Sequence, residues 1–97
     1  MEADREFEQF SKAIDTVLTE IGAMLKEKNR KYGNSIIKPV RIFSHASRGE
    51  QIKVRIDDKI SRLVQGQAND MEDVRKDLIG YLVIDEANEQ GLFDKEV

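Results

Sequence analysis

The chain has no cysteine, no tryptophan, a single proline and a single histidine. Without cysteine it can form no disulfide and no thiolate metal site, and thiol nucleophiles are excluded. The lone proline, Pro39, marks the one stretch that resists helix, because proline is excluded from helix interiors and biases the preceding Lys38 toward extended backbone. No apolar run approaches the roughly 20 residues that span a bilayer, so no membrane partner is expected. Positive charge is not in excess either: 16 Lys and Arg face 19 Asp and Glu, a net charge of −3. Duplex nucleic-acid binders carry a positive field that displaces counterions, so duplex binding is not expected. The opening Met1-Glu2-Ala3-Asp4-Arg5-Glu6 is acidic where a secretory leader is basic, and a cytoplasmic address is the expectation. Glycine-rich phosphate loops, zinc spacings and calcium loops are absent.

What is present is helical periodicity. Ninety-seven residues make one domain, with hydrophobic residues at 39% and charged residues at 36%. That balance folds around a thin core, and small domains without disulfides or metal often complete their burial against a partner subunit. Phe7, Phe10, Ile14, Val17, Leu18, Ile21 and Leu25 recur at three- and four-residue steps, the pattern of an amphipathic helix over about 3–31 that Gly33-Asn34 ends. Ser47-Arg48-Gly49-Glu50 matches a capping box for a second helix over about 48–65, with Ile52, Ile56, Ile60 and Leu63 on one face. Asp70 is the N-cap expected for a third helix over about 70–88. Within it Leu78-Ile79-Gly80-Tyr81-Leu82-Val83-Ile84 is apolar on every side, and a helix apolar all round must be covered all round. The expectation is therefore an all-α three-helix domain with an ordered crossover loop over 34–47, completed by oligomerisation. Val40-Arg41-Ile42 alternates as a short strand would, but no second strand is evident to pair with it.

Two groups of residues carry candidate chemistry. Asp73 and Asp77 are neighbours on one face of the third helix, and Asp77 projects between Tyr81 and Ile84 toward the apolar side. An unpaired carboxylate there is costly, so a cation, a metal or a strong hydrogen-bond set is expected beside it. The bland alternative is an ion pair with a neighbouring chain or with a basic residue of the second helix for Asp77, and a helix-dipole role for Asp73. Arg55, Lys59 and Arg62 form a basic stripe that borders the apolar face of the second helix, suited to phosphate oxygens or, equally, to pairing with Asp73 and Asp77. Asp57 and Asp58 diverge, so at most one joins a given site. Tyr32 would stack on a base or cap the core. His45 sits in a polar stretch with Ser44, Ser47 and Arg48, where a surface histidine is the ordinary reading.

Lys31-Tyr32-Gly33-Asn34-Ser35, Arg55-Ile56-Asp57-Asp58-Lys59-Ile60-Ser61-Arg62-Leu63, Glu72-Asp73 and Asp77-Leu78-Ile79-Gly80-Tyr81 together resemble a family of small phage and bacterial proteins, the nucleotide modification associated domain of the first type. The resemblance implies a nucleotide context, a phage-type protein, and no particular reaction. A looser similarity is to the all-α nucleoside-triphosphate pyrophosphohydrolases, the MazG and dimeric dUTP pyrophosphatase group. Those hold magnesium with an E-x-x-E on one helix and an E-x-x-D on another. Here Glu72-Asp73 and Asp77 would stand for the second motif at altered spacing, and Asp57 or Asp58 would replace the absent first.

The combined expectation is a nucleotide-handling homo-oligomer. Arg55, Lys59, Arg62 and Tyr32 would hold a nucleotide or nucleotide-derived small molecule, and Asp58, Asp73 and Asp77 would hold Mg²⁺ for pyrophosphohydrolase-like chemistry. The alternatives are non-catalytic sequestration of a nucleotide or nucleotide second messenger, and a protein-interaction module that inhibits a partner.

Overall fold

The computed structural model describes residues 1–66 and 71–96, without the side chains of residues 71 and 72. It holds three helices, α1 (Glu2–Lys31), α2 (Arg48–Gln65) and α3 (Met71–Glu89), and no strand among the described residues. The all-α three-helix architecture is as the periodicity requires. The alternation at 40–42 makes no strand. No helix among the described residues is long and apolar enough to cross a membrane.

The helix ends follow from local chemistry. α1 stops at Lys31, and both Gly33 (φ 63°) and Asn34 (φ 61°) take the left-handed conformation that turns the chain away. Asn34 then organises the turn that follows, its carbonyl accepting from the Ile37 and Lys38 amides at 3.0 and 2.8 Å. Ser47 caps α2, its Oγ accepting from the Glu50 amide at 3.1 Å. Gly66, left-handed at φ 69°, closes α2 with bonds to the Arg62 and Leu63 carbonyls. The expected cap at Asp70 lies outside the described residues.

The core is as thin as the composition implies: among the described residues, Ile21, Ile52, Ile56 and Val74 are the buried apolar side chains. α2 and α3 pack along one another, and α1 meets α3 through Met24, Leu25 and Lys28 near its C-terminal end. Gly80 permits that crossing, since a Cβ there would stand 2.7 Å from Leu25 Cδ2 and 3.4 Å from Met24 Cε. Lys28 beside Asp77, with Leu25 beside Gly80, shows that the two helices run antiparallel. The N-terminal half of α1 continues past this contact. The radius of gyration is accordingly 16.4 Å, where a compact chain of this length has about 13 Å.

The crossover over 34–47 is packed in part. Ile36 and Ile37 are half-buried, whereas Val40, Ile42 and Phe43 face solvent, Phe43 at 96% exposure. Its ordered end is held by Arg48, whose side chain is buried. Arg48 Nε donates to Asn88 Oδ1 at 2.7 Å, its Nη1 donates to the Ile37 carbonyl at 3.3 Å, and its guanidinium lies 5.4 Å from the centre of the Phe93 ring. The Arg48 amide, one of the orphan donors at the start of α2, bonds Glu96 Oε1 at 2.5 Å. One arginine thus ties the crossover, α2, α3 and the C-terminal segment together.

Candidate functional site

Where α1 ends, its last turns, the following turn and α3 leave a cleft between them. A cavity of about 610 Å³ opens there. α1 contributes Met24, Leu25, Lys26, Lys28 and Asn29, and Tyr32 follows at its end. The turn adds Ser35, Ile36 and Ile37, α2 adds Arg55, and α3 adds Asp77, Tyr81 and Ile84, with Phe93 from beyond α3. Its wall is mostly apolar. Three of the chain's six aromatic residues line it, including both tyrosines. An aromatic-lined concavity with a few polar groups is the ordinary form of a small-molecule site.

Charge at the cavity is uneven. Asp77 is the single acid, and both its oxygens are engaged. Oδ1 accepts from Lys28 Nζ at 2.6 Å, and Oδ2 lies 3.6 Å from Lys59 Nζ. The Asp77 side chain is 21% exposed and that of Lys59 14%, so this charge triad is partly withdrawn from solvent. The hydrogen bond to Asp77 holds the Lys28 ammonium above its ordinary pKa of 10.5, against the opposing effect of burial. Asp77 does point into the apolar side of α3, and what compensates it is a pair of lysines. Arg55 and Lys26 have no hydrogen-bond or ion-pair partner among the described residues, so the cavity edge carries two unpaired cations.

The structure gathers some of the expected site residues and separates others. Tyr32, Arg55 and Asp77 share the cavity, and Lys59 reaches it only through Asp77. Arg62 is not among the lining residues. Its Nε faces Asp58 Oδ2 at 3.5 Å, one turn away on the open surface of α2. Among the described residues the stripe Arg55, Lys59, Arg62 therefore divides into one cation without a partner, one paired inward and one paired outward. Asp73 is exposed.

Among the described residues no three His, Cys, Asp or Glu side chains are grouped so as to hold a metal ion. Asp58 Oδ2 faces Arg62, the two Asp77 oxygens face Lys28 and Lys59, and the Glu72 side chain lies outside the described residues. Asp58, Asp73 and Asp77 are not among such a group. His45 is exposed in the crossover.

Several contributors escape sequence reasoning, Lys28 and Phe93 among them. Lys28 had a signal: it occupies the apolar seam of α1, four residues after Met24, where a charge must find a partner. Phe93 had none, because its place follows from the path of the chain after α3. Comparison with known proteins finds no matching family model, no matching curated protein and no matching solved structure.

Proposed function

We propose that this cavity binds a nucleotide or a nucleotide-derived small molecule, without a covalent step of its own. The observation that carries the reading is Arg55, a guanidinium with no hydrogen-bond or ion-pair partner among the described residues, beside a cavity walled by Tyr32, Tyr81 and Phe93. A guanidinium suits phosphate oxygens through paired, charge-assisted hydrogen bonds, and aromatic rings suit the faces of a base. Lys26 adds a second, point-like cation on the same rim. The motif resemblance to nucleotide modification associated proteins of phage and bacteria supports the same ligand class.

Magnesium-dependent pyrophosphate hydrolysis is the second reading, supported by the resemblance of Glu72-Asp73 and Asp77 to a metal-binding motif. The engagement of Asp77 by Lys28 and Lys59 favours binding over hydrolysis. Melting the chain with nucleoside mono-, di- and triphosphates, with and without Mg²⁺, separates the two. A ligand at a hundred times its Kd adds about 2.7 kcal/mol of stability, so binding raises Tm with nucleotide alone. A rise only with nucleotide and Mg²⁺ together supports hydrolysis. No rise with any nucleotide refutes both.

A further inference from the structure

The apolar seam of α1 runs through positions 3, 7, 10, 14, 17, 21, 24 and 28, alternating steps of four and three. That spacing is the heptad pattern of a two-helix seam. The chain covers only its final third. Ile21 is buried, Leu25 and Met24 lie against Gly80, and Lys28 reaches Asp77. Upstream the seam is open, with Phe7 71% exposed, Phe10 66% exposed, and Ile14, Val17 and Leu18 each near half. These side chains present a continuous apolar strip of roughly 500 Å² over about 17 Å of helix, at the upper end of what a monomer leaves uncovered.

We propose that the N-terminal half of α1 pairs antiparallel with the same segment of a second copy of this chain. This inference is independent of the ligand reading. The strip is self-complementary about a two-fold axis near Lys12: Phe7 of one copy meets the Val17 layer of the other, and Phe10 meets Ile14, the alternation of seam positions that antiparallel helices require. Two fully covered strips would together withdraw on the order of 1,000 Å², the lower bound for a specific interface between two chains. Geometry decides the direction. Residues 21–28 are occupied by the chain's own α3, so a parallel partner would run into it. An antiparallel partner leaves the two bodies at opposite ends. Charge argues against a lipid surface, because Glu2, Asp4, Glu6 and Glu8 outnumber Arg5 beside the strip and repel anionic headgroups.

The test uses the full chain. Sedimentation equilibrium at micromolar concentration should return twice the chain mass of 11.1 kDa. The double variant Phe7→Glu/Phe10→Glu should raise the dimer dissociation constant more than ~100-fold, since central aromatic contacts dominate such interfaces, while the thermal transition of α2 and α3 persists. Because the chain has no cysteine, Ser11→Cys, close to the two-fold, should form an interchain disulfide on mild oxidation. Asp4→Cys should not, its two copies standing ~20 Å apart along the axis. A wild-type monomer at 100 µM concentration overturns the proposal, as does a dimer indifferent to the double variant, which would move the interface to Leu82 and Val83 of α3. Cross-linking through Asp4→Cys in preference to Ser11→Cys refutes the antiparallel arrangement. A monomer that partitions onto phosphatidylcholine vesicles assigns the strip to lipid and overturns it too.

Discussion

Lys28 and Asp77, 49 positions apart, meet at 2.6 Å in the cavity wall and join the last turns of α1 to α3. The contact joins the two helices one turn from the Leu25–Gly80 crossing, and Lys59 of α2 closes the triad from the other side. Replacing Asp77 by Asn would leave Lys59, whose side chain is 14% exposed, without its counter-charge. Breaking a well-buried pair costs about 3–5 kcal/mol and an exposed one under about 1. This intermediate case should cost about 1–3 kcal/mol, a fall in Tm of roughly 5–15 °C in a domain of this size. A metal-free melt checks it. An unchanged or higher Tm would mean that Asp77 is held for a ligand rather than for the fold.

The same pair sets a pH dependence. The folded-state pKa of Lys28 lies above its ordinary 10.5, chiefly through the hydrogen bond to Asp77. A cation stabilised in the folded state contributes fully below its unfolded pKa, and the contribution is lost as pH rises through the raised folded value. Urea unfolding of wild type and Lys28→Met should therefore differ by a constant amount from pH 7 to pH 9. The difference should shrink only above about pH 10.4, the unfolded lysine value. A gap that closes below pH 9 would contradict the assignment.

Arg55 and Arg62 lie two turns apart on α2, yet only Arg55 faces the cavity. Arg55→Ala should weaken nucleotide binding by about 1–3 kcal/mol, the range of a charge-assisted contact, with Tm in the absence of ligand nearly unchanged. Arg62→Ala should leave the affinity as it was, since its neighbour is Asp58 on an exposed surface. Titration calorimetry on the two variants reads the contrast directly. Equal loss from both would return the whole basic stripe to the site.

Arg48 is the one buried charged side chain among the described residues. It is 8% exposed and serves Asn88, the Ile37 carbonyl and the face of Phe93 at once. Arg48→Met should cost about 1–3 kcal/mol by leaving the half-buried Asn88 amide oxygen and Ile37 carbonyl without this partner. Arg48→Lys should recover little of it, because a single ammonium cannot reproduce the guanidinium fork or its stacking. Denaturant midpoints of the two variants settle the comparison. Midpoints within experimental error of wild type would show that the crossover is anchored elsewhere.

Much of this protein was decided by patterns local to the chain. The three-helix architecture follows from the seam of α1, the Ile52 and Ile56 face of α2 and the apolar run in α3. The ends follow from Ser47, Gly33-Asn34 and Gly66, because caps and left-handed residues act within four or five positions. That Asp77 needs a compensating charge was legible too, since its direction on α3 is a matter of helical pitch alone. Which charge answers it was not. Lys28 and Lys59 arrive from two other helices, and only the crossing permitted by Gly80 brings Lys28 within reach. The division of the basic stripe has the same cause: pitch places Arg55, Lys59 and Arg62 on one side of α2, but where α3 lies against that side determines which of them turns inward. Coverage is likewise a tertiary matter. A seam read from spacing alone is uniform from Phe7 to Lys28, and the place where α3 crosses it leaves the first two thirds open and buries the last.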